Sequence, residues 1–292
     1  MRLTRTLLVL SVVALVSAGV WAGWRTLSRR TEPAVRSQIV APIPDIAGFA
    51  RADGTRPFDF PADHGPHLDF QTEWWYYTGN LETADGRAFG YQLTFFRRAL
   101  IPPGDRQQRA SDWAADQVYM AHFAVTDVAE NDHRAFERFS RGAAGLAGGS
   151  SPPYRVWLED WRVEQNGEDA DVVRMVAAEG DVALDLQLID RKGPVLQGER
   201  GYSRKGPDPG NASYYYSQTR LDTTGTVRIR QTSFDVAGWS WMDHEFSTSA
   251  LAPNQVGWDW FALQLNDGSE LMVFQIRRSD GTIDPFSSGT II

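Results

Sequence analysis

Three consecutive ionisable residues, Asp243-His244-Glu245, stand in the stretch GWSWMDHEFS. An imidazole can carry a proton near neutral pH, and a carboxylate on either side can orient it. On a strand, Asp243 and Glu245 point to one face and His244 to the other. Trp239 and Trp241 precede them. An imidazolium among aromatic faces could protonate an alkene, and the π-faces would steady a carbocation as they do other cations. The plainer alternative is a buried histidine tied to a backbone carbonyl or a carboxylate.

A second stretch, HGPHLDFQTEWWYYTGNL, covers residues 64–81. If it is extended, His67, Asp69 and Glu73 share a face with Trp75 and Tyr77. Glu73 is the best acid here, because burial against Trp74 would raise its pKa. His64 and His133 read as structural. A metal site drawing on His67, His122 and His244 has little support, since the sequence holds no HExxH and no tight His cluster, so no metal and no cofactor are expected. There is no GxSxG, and Ser140 and Ser240 lack an adjacent base, so a serine-hydrolase mechanism is unsupported.

These residues need a scaffold. The chain has 292 residues, 42% apolar and 12% aromatic, enough for a substantial core. Its net charge is −8; residues 1–30 contribute five Arg and no acid, which leaves −13 on the rest. An acidic body argues against a nucleic-acid partner. The absence of Cys removes thiol chemistry, disulfides and a lipoprotein anchor.

Residues 1–30 have Arg2 and Arg5 ahead of an apolar run, residues 7–24, and then Arg25, Arg29 and Arg30. This is a signal peptide or a signal anchor, with membrane association through residues 7–24 in the second case. Either places the remainder outside the cytoplasm, periplasmic or secreted. Residues 31–62 are Pro-rich and read as an extended lead-in.

Beyond them the chain shows short alternating runs separated by turn residues. Phe89, Tyr91, Leu93 and Phe95 alternate with Gly90, Gln92 and Thr94. Long amphipathic helices are absent, with one short helical turn expected over 113–117. The pattern predicts an all-β barrel or sandwich. An internal echo refines it. Glu73-Trp-Trp-Tyr-Tyr, Asp85-Gly86 and Arg97-Arg98 are matched by Gly257-Trp-Asp-Trp-Phe, Asp267-Gly268 and Arg277-Arg278. Two similar hairpins predict two related β domains, residues 63–205 and 206–292, divided within the Gly/Pro-rich stretch 193–210. The second is expected to be incomplete.

HGPHLDFQTEWWYYTGNL, YMAHFAVTD, ERFSRGAAGLAG, GWSWMDHEFS and GWDWFALQLNDGSELMVFQIRR together resemble the AttH/carotenoid 1,2-hydratase family, often labelled predicted secreted hydrolases. The resemblance runs from about residue 58 to the end. It implies tandem lipocalin-like β-barrels and an apolar ligand. Hydratases of that family add water to the terminal double bond of acyclic carotenoids, an activity ascribed to a His, a Trp two residues later, and a Tyr and Asp further on. His244 matches the histidine; Phe246 stands where the Trp would be; Asp259 is the nearest counterpart of the Asp. These departures make the exported, non-hydratase branch the closer likeness.

The combined expectation is an exported protein of tandem lipocalin-like barrels that binds a hydrophobic isoprenoid or lipid and acts on it by hydratase- or hydrolase-like acid–base chemistry. His244 is the expected proton donor, with Asp243, Glu245 and Asp259 to orient it and Glu73 as a further acid. Trp74, Tyr76, Tyr91, Tyr215, Trp241, Trp258 and Trp260 are the expected ligand wall. The alternatives are a non-catalytic lipid carrier and a structural component of the cell envelope.

Overall fold

A computed structural model describes residues 46–107, 111–249 and 251–292. The expected signal or anchor segment, and the lead-in up to residue 45, lie outside the described residues. Among the described residues no helix is long and apolar enough to cross a membrane.

The alternating runs do form strands. β1 (Thr72–Glu82) and β2 (Ala88–Ala99) make the first hairpin, followed by β3 (Gln117–Asp127), β4 (Asp132–Arg141) and β5 (Ala147–Ser150). Then come β6 (Arg155–Leu158), β7 (Trp161–Gln165), β8 (Val172–Glu179), β9 (Val182–Asp190), β10 (Pro194–Leu196) and β11 (Tyr202–Arg204). Two long strands, β12 (Ala212–Ile229) and β13 (Thr232–Ser247), precede β14 (Gln255–Gln264), β15 (Glu270–Arg278) and β16 (Ser288–Ile291). The helical turn expected over 113–117 is absent; a bend there leads into β3.

The first sheet runs β4-β3-β2-β1-β13-β12-β9-β8-β7-β6-β5, with β10 and β11 added on β12. It curls into one large, nearly closed 11-strand barrel. At the seam, side chains replace the missing backbone ladder. Arg138 of β4 reaches Glu179 (2.8 Å) and Asp160 and lies over the Trp161 ring, while Phe123 meets Trp161 edge-on at 5.5 Å. Strand parity sends Trp75, Tyr77, Leu93, Phe95, Phe123, Val163 and Leu186 inward, where all are buried. The interior is thus a packed core, with Tyr77 and Tyr154 hydroxyls joined at 2.7 Å.

The second sheet is small, β14-β15-β16. The echo seen in the sequence is real at the level of hairpins. Gly86 and Gly268 both take positive φ (+88° and +90°), and each donates its N–H back across its turn. The expected division near residue 205 does not separate the strands. β12 and β13, which follow it, are hydrogen-bonded to β9 and β1, which precede it. Without them the outer edges of β1 and β9 would be unpaired inside the barrel wall, which explains why the Gly/Pro-rich stretch is a loop carrying β10 and β11.

The small sheet packs against the outside of the barrel wall through Trp260, Ala262, Met272, Phe274 and Ile276. Polar ties fix it. Gln264 donates to the carbonyls of Thr219 (2.7 Å) and Ser240 (3.0 Å). Glu270, fully buried, is ion-paired with Lys192 and with Arg220 (2.5 Å).

Candidate functional site

The alternation of β13 splits the chemistry between two places. Asp243 and Glu245 face outward, toward the small sheet; His244 and Phe246 face the barrel interior. The parity read from the sequence holds here, and it holds for β1, where Trp75 and Tyr77 go inward while Trp74 and Tyr76 go outward.

Inside one end of the barrel, Glu73 is the centre of an ion network. Its carboxylate accepts from Arg97 Nε (2.8 Å), His244 Nε2 (2.8 Å), His67 Nδ1 (2.8 Å) and the His67 backbone N–H (3.0 Å). Burial alone would raise its pKa, but the Arg97 guanidinium and the two imidazoles hold it well below the usual carboxylate range. The rise expected from Trp74 is therefore reversed, because sequence reading did not supply Arg97 as a counter-ion. His67 sits between Glu73 and Asp63 (2.8 Å each) and stacks on Phe246 at 3.5 Å. Burial opposes its charge, yet the two carboxylates outweigh burial and raise its pKa. Asp63 is pulled down to about 2, its burial overcome by His67, the Asp59 N–H and Arg56.

His244 is fully buried and stacked on Trp75. Burial pushes its pKa down, so the ring is neutral and donates from Nε2 to Glu73. Nδ1 then accepts from the Tyr216 hydroxyl (3.0 Å), which in turn accepts from His64 Nδ1 (2.7 Å). This is the tied histidine of the plainer alternative. The donor atoms of His67, Glu73 and His244 lie within 4.8 Å of one another, close enough to suggest a metal site. Both histidines bond to Glu73, and Arg97 pairs with that same carboxylate, an arrangement that already balances its charge and sets a cation beside the would-be ligands. His122 pairs with Glu137 on the barrel surface, His133 with Thr126, and Asp69 is exposed.

The other face of β13 opens into a cavity of about 270 Å³ between the barrel wall and the small sheet. Its walls are Trp74, Tyr76, Phe96, Tyr215, Leu251, Trp258, Trp260, Phe274 and Ile276; its polar end is Asp243, Glu245, Ser247 and Lys205. Trp74 and Trp258 lie nearly parallel, 6.4 Å apart and 17° from coplanar, and Tyr76 meets Trp260 edge-on at 5.4 Å. Tyr76 is pushed up to about 12 by burial and by Asp243, so its hydroxyl remains a donor.

Asp243 is the unusual group. Tyr215 OH (2.9 Å), Ser217 Oγ (2.5 Å) and Trp241 Nε1 (2.8 Å) all donate to Oδ1. Among the described residues none donates to Oδ2, which leaves that oxygen for the cavity. Burial raises the carboxyl from 3.8 to about 7, more than the three donors lower it. The carboxyl can hold its proton on Oδ2 at neutral pH and release it into an apolar space. Glu245 accepts from Ser213 and from Lys205 (3.1 Å), the latter held over the Phe274 ring at 4.1 Å.

Of the residues singled out from sequence, the cavity brings together Trp74, Tyr76, Tyr215, Trp258, Trp260, Asp243 and Glu245, with Trp241 touching Asp243 from behind. Tyr91 lies inside the barrel, its hydroxyl on Ser240 (2.7 Å). Asp259 is on the outer face of the small sheet beside Arg277 (3.5 Å). Lys205, Ser217 and Phe274 escaped sequence reading. Lys205 sits in a polar loop, and nothing local signals that it folds back onto Glu245.

Residues 51–292 match the family described as AttH-like. A crystal structure described as an AttH from Nitrosomonas europaea shares 34% identity, covers 84% of this chain and 75% of its own, and superposes with a TM-score of 0.72. Kievitone hydratase from Nectria haematococca, at 11% identity, covers 84% of this chain and 72% of its own with a TM-score of 0.55, a likeness of fold alone. No curated protein matches the chain.

Proposed function

The chain belongs to the AttH-like family, and from that premise we propose that it binds a hydrophobic isoprenoid or lipid in the cavity beside β13 and acts on it by acid–base catalysis, with Asp243 as the proton donor. The observation that carries this reading is a fully enclosed carboxyl with a pKa near 7, aimed by three donors at an aromatic-lined space. Protonating a carbon–carbon double bond creates a cation, and the indole faces of Trp74, Trp258 and Trp260 would stabilise it. Hydration or its reverse is thus the favoured chemistry, in keeping with the carotenoid-hydratase resemblance. The donor role passes from His244 to Asp243, because His244 is sealed in the barrel and holds Glu73 instead.

The test starts with native mass spectrometry of the full-length protein, to find a co-purified hydrophobic molecule. Turnover of that molecule is then compared in wild type, Asp243→Asn and His244→Gln. The expected result is retained binding with turnover lost in Asp243→Asn. Unchanged turnover in that variant would overturn the proposal. A wild type that binds but never turns over would favour the second reading, a lipid carrier, which the largely apolar cavity lining also suits.

The small sheet is a β unit of its own, supported by its hairpin echo of β1–β2, and the division falls between Ser247 and Gln255. A proteolytic fragment ending in that linker would support it; cleavage throughout β12 and β13 would not. Residues 1–30 export the protein, which cell fractionation with and without that segment would check.

A further inference from the structure

The geometry points to Glu245 as a second catalytic carboxylate, the base that holds and deprotonates the water, with Lys205 positioning it. This rests on the reading of Asp243 as the acid. Both carboxylates line the same cavity from alternate positions of β13. Alternate residues of a strand are roughly 6.5–7 Å apart along the chain. Two carboxyl groups at about that separation leave room for a water beside a reacting carbon.

Their surroundings divide the roles. Among the described residues, Asp243 is met only by neutral donors, from Tyr215, Ser217 and Trp241. Glu245 has a cation, Lys205 Nζ at 3.1 Å, and the Ser213 hydroxyl, both on Oε1. Lys205 is fixed in turn by Ser203 Oγ (3.1 Å) and by the rings of Phe274 and Tyr215. Among the described residues no donor reaches Oε2, just as none reaches Oδ2 of Asp243. One carboxyl is thus set to give a proton and the other to take one.

The π pair of the alkene forms a C–H bond with the Oδ2 proton of Asp243, leaving an Asp243 carboxylate and a carbocation facing the indoles. A water lone pair forms the C–O bond, and the proton lost from that water goes to Glu245. Solvent returns a proton to Asp243 and removes one from Glu245. The net change is addition of one water, with no oxidation or reduction.

The probe is citronellol, a trisubstituted alkene, incubated in D2O with the full-length protein. Deuterium appearing in recovered alkene reports the Asp243 step alone; the tertiary alcohol reports both steps. In Glu245→Gln, deuterium exchange should persist within about threefold of wild type while alcohol formation falls by roughly 10²-fold or more. Lys205→Met should lower alcohol formation with exchange retained. Added formate should restore the alcohol in Glu245→Ala, which guards against a folding defect in any one variant. Wild-type alcohol formation in Glu245→Gln would overturn the role of Glu245 and leave Asp243 standing, and so would loss of exchange together with the alcohol in a folded variant. A wild type that neither exchanges nor hydrates the probe would overturn the Asp243 reading and this one with it.

Discussion

Replacing Asp243 by Asn should change how stability depends on pH, more than it changes stability itself. Asn keeps an Oδ1 that can accept from Tyr215, Ser217 and Trp241, but it cannot ionise. In the wild type the folded carboxyl titrates near 7 and the unfolded one near 3.8. Between those values the folded chain holds a proton that the unfolded chain has released. The contribution to stability is therefore complete below about pH 3.8, declines as pH rises toward 7, and is flat above that. At about 1.4 kcal/mol per pH unit, the whole interval corresponds to about 4 kcal/mol. From pH 5 to pH 8 the wild type should lose about 3 kcal/mol relative to Asp243→Asn, since part of the decline lies below pH 5. Urea unfolding of both proteins at pH 5, 6, 7 and 8 measures this. Titrating groups that do not interact with Asp243 cancel in the difference, as does any constant cost of the Asn amide facing the cavity. A difference that stays level within about 0.5 kcal/mol across that range would mean that Asp243 is already ionised in the fold, and a carboxylate could not be the acid.

Arg97→Met should cost about 3–5 kcal/mol in urea unfolding, because it strips the counter-ion from a fully buried Glu73; a loss under about 1 kcal/mol would show that the imidazoles suffice. His67 has linkage of the same sign as Asp243, in a higher pH window: its stabilising charge is present below its ordinary 6.5 and is lost as pH rises through its raised folded value, so His67→Gln should flatten an alkaline decline seen in thermal melts of the wild type. Gly225→Ala should lower the Tm by several degrees, since Gly225 has φ +148° and an added Cβ would lie 2.2 Å from the Asp185 carbonyl oxygen. Tyr91→Phe should cost about 1 kcal/mol through the lost bond to Ser240 and leave ligand affinity unchanged, as isothermal titration would show.

The β class, most strand positions and the face each residue of 74–77 and 243–245 occupies were legible because strand parity is a local property. So was the hairpin echo, which depends only on neighbouring turns. Barrel closure was not. The match of β1 to β13, Trp75 opposite His244, is a register between distant segments that no periodicity encodes. The Glu73–His244 bond spans 171 residues, and Arg97 earns its place opposite Glu73 only through the β1–β2 register. The place of the cavity was not legible for the same reason: large inward side chains fill the barrel, and the opening lies on its outer wall. Edge strand β4, polar and alternating with few large apolar residues, gave too weak a pattern to find.

The position of β13 also sets a schedule for the ribosome. β1 lies between β2 and β13, so one of its edges has no partner from the time Thr72 emerges until Ser247 does. At roughly 5–20 residues per second, that wait lasts on the order of ten seconds or more. Throughout it the chain presents Glu73-Trp-Trp-Tyr-Tyr as an open, aromatic β edge, the kind of template on which nascent chains stick to one another. Newly made protein should thus depend on a holding chaperone until β13 is synthesised, and yields should respond to translation speed more than to the final stability of the barrel.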